Sequence, residues 1–191
     1  MSPNAAEVSS LAALGVCLRP AVPDDVPLLS RIYASTRTDE LSLVPWTPEQ
    51  KAAFLAQQFL AQDADYRRNY ADASFSVIEV RGVPAGRLYV DRGEREMRVV
   101  DISLFPEFRG KGFGGALFAE LIEESRAGGR RLTIHVERFN PALRLYRRLG
   151  FRLVSDLGVY VFLEWSGDPG SAGAPVPEPL SLHAPQPSGS T

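Results

Sequence analysis

Two spacings of apolar residues alternate along the chain and predict its strands and helices. A period of two, or a short apolar run between turn residues, predicts a strand. Ser74 to Val80 is the clearest case, because Phe75, Val77 and Glu79 fall on one face and the residues between them on the other. Strands are predicted at 16–19, 74–80, 86–91, 97–104, 132–137, 151–154 and 159–164.

Spacings of three and four residues predict four helices, and capping residues mark their starts. Asp24 or Asp25 can cap the first, whose apolar face includes Leu29 and Ile32. The segment Thr47 to Gln50 combines an N-cap, a proline at the first helical position and a glutamine at the third. The third helix runs from Gly112 to Ala127, and the fourth from Asn140 to Leu149, with Gly150 after its end.

The predicted order of elements is β-α-α-β-β-β-α-β-α-β-β. Meandering strands followed by β-α-β units indicate an α/β (α+β) fold with a mixed sheet and helices on both faces. We expect residues 1–15 to be a flexible lead-in and 16–166 to be one domain. Residues 167–191 hold six of the fifteen prolines and no Lys or Arg, which predicts a disordered tail rich in Pro, Gly and Ser.

Composition narrows the classes of function. The chain has 191 residues, 45% of them hydrophobic, and a net charge of -2, which gives no reason to expect nucleic acid or membrane as a partner. Cys17 is the single cysteine, so no thiolate metal site and no internal disulfide are expected. No basic region precedes the short apolar patch near the N-terminus; we therefore expect no signal peptide and a cytoplasmic protein.

The chemistry is concentrated between Asp101 and Ala116, where a strand, a glycine cluster and a helix start follow one another. Glycines let a backbone approach an anion, and the helix start adds free N–H groups and a positive dipole end. Arg109 and Lys111 add charge at the rim. The cluster also fits an ordinary turn, or a dinucleotide fingerprint, but too little chain follows it for a dinucleotide fold. A P-loop is excluded, because its Gly-Lys-Ser/Thr pattern is missing.

Two motifs in this region resemble the GNAT acetyltransferase superfamily. Arg109-x-x-Gly112-x-Gly114 is similar to its acyl-CoA motif, and Asn140 to Phe151 is similar to its N-x-x-A-x-x-L-Y-x-x-x-G-F segment. This sequence has one residue fewer between Asn140 and Tyr146 than most members. The resemblance covers 16–165 and implies a mostly antiparallel sheet of six or seven strands. It implies acetyl-CoA as co-substrate, no metal, and transfer to an amine.

The resemblance also implies roles for individual residues. Tyr146 matches the general acid, although its helical spacing fits a core tyrosine equally well. His135 and Asp101 are candidates for the general base, Glu137 is a third, and a chain of waters is a fourth; His135 fits a structural histidine as well. The residues expected to hold the donor are Ile102, Ser103, Leu104, Arg109, Gly110, Lys111, Gly112, Phe113, Gly114, Gly115 and Asn140.

These observations support a leading hypothesis and two alternatives. The first is an N-acetyltransferase acting on a primary amine of a small molecule or peptide, as a monomer or homodimer. The second is an acyl-CoA sensor without turnover, and the third a dinucleotide-binding domain. The acceptor is not readable from the sequence; Trp46, Gln57 and Gln58 lie in the helical region that usually walls the acceptor site in such folds.

Overall fold

A single sheet organises the part of the chain that the computed structural model describes, residues 10–167 and 174–179. Within it, eight strands lie in the order β1-β2-β3-β4-β5-β7-β6-β8. Their bounds are β1 Val16–Pro20, β2 Ser74–Val80, β3 Val83–Arg92, β4 Glu96–Leu104, β5 Arg131–Glu137, β6 Arg152–Asp156, β7 Tyr160–Trp165 and β8 Ala174–Pro175.

All neighbouring strands are antiparallel except β4 and β5, which are parallel. A parallel pair needs a long crossover, and the helix α5 (Phe113–Ala127) supplies it. The predicted mixed, mostly antiparallel sheet is therefore confirmed, with eight strands instead of six or seven.

Helices cover both faces of this sheet. On one face, α5 and α6 (Leu143–Arg148) pack over a large apolar core that includes Ile134 and Val136 of β5. On the other face, α2 (Val26–Thr36) and α4 (Pro48–Asn69) enclose a smaller core around Phe59. Two shorter helices complete the set, α1 (Ser10–Ala13) and α3 (Thr38–Ser42).

The start of α4 follows directly from its sequence. The Thr47 hydroxyl accepts a hydrogen bond from Gln50 N at 3.3 Å, and Gln50 Oε1 accepts one from Thr47 N at 2.9 Å. This reciprocal capping box confirms the predicted helix start. Asp25, in contrast, does not cap α2 with its side chain, because its carboxylate accepts hydrogen bonds from Arg19 and from Val22 N.

Two segments expected to lie off the domain contribute to it. Near the N-terminus, Ser10–Ala13 is helical and Leu11 is buried in the main core. Near the C-terminus, Ala174 and Pro175 pair with Leu153 and Arg152 of β6. Apolar side chains within these polar segments account for both differences. The rest of the predicted lead-in and tail, 1–9, 168–173 and 180–191, lies outside the described residues.

Candidate active site

The loop between β4 and α5 presents a row of backbone donors. The six N–H groups from Gly110 to Gly115 have no acceptor within the described residues, and Gly112, the N-cap of α5, has no side chain to cap the helix. The first bond of the helix is donated by Ala116 N to the Gly112 carbonyl at 3.0 Å. Unpaired N–H groups at a helix start form a site for an anion such as a pyrophosphate.

The glycines of this loop serve two different purposes. Gly110 and Gly112 have φ values of +70° and +88°, and a Cβ at either would meet nothing within 4 Å. Backbone conformation therefore requires glycine at these two positions, and the space beside them is open. Gly114 and Gly115 instead lie in van der Waals reach of Leu145 on α6, at 3.5 and 3.8 Å from an added Cβ.

Next to this loop, β4 and β5 diverge. Their pairing runs from Glu96–Arg131 to Val99–Ile134 and then ends. The register of β3 with β4 shifts between Tyr89 and Val90, a bulge that coincides with the divergence. Beyond it, Ile102, Ser103 and Leu104 pair with β3 but have no partner on β5. The predicted donor-binding residues of β4 therefore line an opening through the sheet.

The approach of β3 to β4 beside this opening requires a glycine. A Cβ at Gly86 would stand 2.1 Å from the Ser103 carbonyl oxygen and 2.9 Å from a Leu104 methyl. Contacts below 3 Å force the backbone to move. Gly86 therefore allows the end of β4 to lie close against β3.

The predicted rim residues differ in what they contact. Arg109 donates through Nε to the Leu104 carbonyl at 2.8 Å and through a terminal nitrogen to the Ser35 carbonyl at 3.2 Å, so it ties the end of β4 to α2. Lys111 is exposed at the loop. Phe113 packs against Phe108, with ring centroids 6.3 Å apart.

Asn140 has a local structural contact. Its Oδ1 accepts a hydrogen bond from Ala142 N at 2.9 Å, which forms a turn before α6. The helix consequently begins at Leu143 and not at Asn140 as predicted.

Tyr146 lies in the main core on α6. It is 3% exposed and packs edge-on against Phe118 and Phe151, with centroids 5.0 and 5.5 Å away. Burial, and to a smaller extent the negative charge of Asp101, raise the pKa of Tyr146 well above its usual range. The phenol is therefore fully protonated at neutral pH, the state that a proton donor requires.

His135 lies on the opposite face of the sheet from Tyr146. Its neighbours Ile134 and Val136 point into the main core, so alternation along β5 places His135 on the face of α2 and α4. Its ring stacks on Phe162 at a centroid distance of 4.6 Å. Desolvation and the nearby charge of Arg98 lower the pKa of His135, which keeps the imidazole neutral and able to accept a proton at pH 7.

Asp101 shares that face but is fully engaged by other groups. Its two oxygens accept from Arg87 at 3.1 and 2.9 Å, from Ser103 Oγ at 3.0 Å and from the Tyr66 hydroxyl at 3.4 Å. Arg87 is 2% exposed and also donates to Gln62 at 2.8 Å. Desolvation lowers the pKa of Arg87, but the interactions with Asp101, Tyr89 and Tyr66 together outweigh it, and the pKa lies above its usual value. Asp101 thus neutralises a buried cation.

The family assignment follows once this geometry is compared with known proteins. The sequence profile of the Acetyltransferase (GNAT) family matches residues 35–151, more than half of the chain. The chain belongs to the acetyltransferase (GNAT) family. The predicted class of enzyme, an acyltransferase, is confirmed at the level of that family.

Individual GNAT relatives agree with this assignment. An uncharacterized N-acetyltransferase of Methanocaldococcus jannaschii is 37% identical over 87 residues, which are 40% of this chain and only 38% of that protein. The PaiA N-acetyltransferase of Thermoplasma acidophilum, solved with coenzyme A, superposes with a TM-score of 0.60 at 15% identity, covering 79% of this chain and 98% of that one. YncA of Salmonella typhimurium, a putative acetyltransferase solved with acetyl-CoA, superposes with a TM-score of 0.51 at 21% identity. The match covers 83% of this chain and 98% of that one.

Sequence reasoning missed one contact of this GNAT domain, at the end of α2. Arg37 donates to Glu137 on β5 at 3.1 Å and to Glu40 at 2.9 Å, and Glu137 also accepts from the Tyr160 hydroxyl at 3.4 Å. Together with the Arg109–Ser35 contact, this pair ties the end of α2 to both sides of the opening. No sequence signal could have linked Arg37 to a residue 100 positions away.

A small cavity adjoins this ion pair between α2, α3 and α4. It measures about 250 Å³, and its wall combines apolar side chains with Arg37, Glu40 and Gln58. Of the residues predicted to wall the acceptor site, Gln58 lines this cavity, and Trp46 packs edge-on against the lining residue Phe54 at 5.2 Å.

Across residues 10–167 and 174–179, the structure contains no group of three or more His, Cys, Asp or Glu side chains placed to hold a metal ion. No helix in the same residues is long and apolar enough to cross a membrane.

Proposed function

We propose that this protein is an N-acetyltransferase that moves the acetyl group of acetyl-CoA to a primary amine of a small molecule or peptide. The observation that carries the proposal is the junction of two features: six unpaired N–H groups at the start of α5, and the unpaired edge of β4 beside the opening. The loop suits the pyrophosphate, and the free edge of β4 suits the amides of the pantetheine arm.

The two residues that we assign to proton transfer lie on opposite faces of the sheet. His135 lies on the face of α2 and α4, and Tyr146 lies in the core on the face of α5 and α6. The amine, relieved of its proton by His135, attacks the thioester carbonyl; the C–N bond forms, the C–S bond breaks, and Tyr146 protonates the departing thiolate. We assign the base to His135 and not to Asp101, because the oxygens of Asp101 already accept hydrogen bonds from Arg87, Ser103 and Tyr66.

The small cavity beside Arg37 supports a small amine, or the first residue of a peptide, as the acceptor. Its volume of about 250 Å³ lies below the roughly 300 Å³ at which pockets for drug-sized ligands begin. Arg37, Glu40 and Glu137 together carry a net negative charge, which favours an approaching ammonium group.

The decisive experiment is a thiol-release screen with acetyl-CoA against a panel of amines, amino acids and peptides. We expect release above background with at least one primary amine, and calorimetry should show saturable binding of acetyl-CoA. Binding without release for the whole panel would favour the sensor hypothesis. Binding of NAD with no binding of acetyl-CoA would overturn the proposal.

A further inference from the structure

The segment 174–179, which we call the strap, joins two parts of the domain that are separate in sequence. Its first two residues form β8 on the outer edge of β6. Val176 is then 3% exposed within the core that contains Tyr146 and Phe151. Glu178 finally reaches α6, where it forms ion pairs with Arg147 and, at 3.7 Å, with Arg144. The strap therefore runs from the sheet edge to the helix that carries Tyr146.

The composition of the strap reduces the conformational entropy that the segment loses when it docks. Residues 175, 177 and 179 are prolines, which restrict the backbone before it docks. Fewer conformations are lost on ordering, so a single buried valine and one charged contact are enough to hold the segment. The prolines that predicted a disordered tail thus favour a rigid strap.

Helix α6 needs external support. It has only six residues, and no side chain caps its N-terminus. Isolated helices of this length are unstable in water, so tertiary contacts must hold it. On its inner side, Tyr146 is buried and Leu145 lies within 4 Å of the positions of added Cβ atoms on Gly114 and Gly115. On its outer side, Glu178 contacts Arg144 and Arg147.

We propose that the strap positions α6 from outside, so that Val176 and Glu178 hold Tyr146 in place for proton donation. This inference rests on the proposed function, because it assigns the strap a part in the same reaction. Val176 and Glu178 are positioning residues in this proposal, because they act through the helix and not on the substrate.

Glu178→Gln in the full chain tests the proposal, with the best amine from the screen as acceptor. Loss of an exposed ion pair should lower kcat about two- to fivefold and leave the calorimetric affinity for acetyl-CoA unchanged. Amide hydrogen exchange at 146–149 should become faster. Glu178→Asp, which keeps the charge, should restore most of the activity.

Two further variants complete the test. Val176→Asn puts an amide into the core and should lower kcat more than Glu178→Gln does; if it fails to fold, Glu178→Gln decides alone. Glu123→Gln is the matched control, since it breaks an exposed Glu–Arg pair on α5 and should change nothing. Wild-type turnover and wild-type amide exchange at α6 in Glu178→Gln would overturn the proposal. If the unmodified chain acetylates no amine, the proposed function fails, and exchange at α6 still tests the strap.

Discussion

Replacing Asp101 with Asn tests whether this residue stabilises the fold or takes part in the reaction. The change keeps the shape of the side chain but removes the charge that faces Arg87, whose exposed fraction is 2%. It also turns one acceptor into a donor among groups that already donate to Asp101, namely Arg87, Ser103 and Tyr66. Breaking one side of a buried ion pair costs about 3–5 kcal/mol of unfolding free energy. For a chain of this size the melting temperature should fall by about 10 °C.

Urea unfolding followed by circular dichroism measures this loss. Asp65→Asn is the matched control: its ion pair with Arg68 is exposed, and removing it should change the unfolding free energy by about 0–1 kcal/mol. In the double variant Arg87→Met/Asp101→Asn the unpaired cation is gone, so much of the stability should return. If Asp101→Asn unfolds within about 1 kcal/mol of the unmodified chain and yet loses all turnover, our reasoning is wrong and Asp101 acts in the chemistry.

Three further predictions concern the opening and the loop. Gly112→Glu should weaken acetyl-CoA binding more than tenfold in calorimetry, because a carboxylate would face the pyrophosphate; Gly129→Glu, at the far end of α5 with φ +60° and equal open space, should bind normally. Tyr146→Phe should lower kcat about 100-fold or more, because phenylalanine has no hydroxyl proton to donate to the departing thiolate. His135→Ala should remove the acidic limb, expected below about pH 6.5 because the pKa of this imidazole is lowered; an unmoved limb would point to another base.

Local sequence patterns predicted the helices and strands well, and the pairing between strands less well. The Thr47 capping box and the helix that ends at Ala127 were readable because caps and glycines act within a few residues. Periodicity could not predict that β4 and β5 diverge, because the divergence depends on how far each edge of β4 pairs with its neighbouring strand.

Long-range contacts escaped prediction for the same reason. Asp101 was a candidate base in sequence, but its partner Arg87 lies on another strand, and only the register brings the two together. Composition likewise predicted a disordered tail from its prolines. It could not show that one residue of this segment, Val176, is buried in the core. Val176 is buried in a core that is assembled from residues distant in sequence, such as Ile134 and Phe151, and no local pattern encodes that assembly.

The short strand β8 also bears on how the protein behaves at high concentration. An open sheet edge offers a row of free N–H and C=O groups to which a strand of another molecule can add, a common first step in aggregation. Here the outer edge of β6 is covered by two residues, and one of them, Pro175, has no N–H to offer to a further strand. β8 pairs with Arg152 and Leu153 of β6, so at this point of the edge a strand from another molecule would meet a short strand with one donor missing.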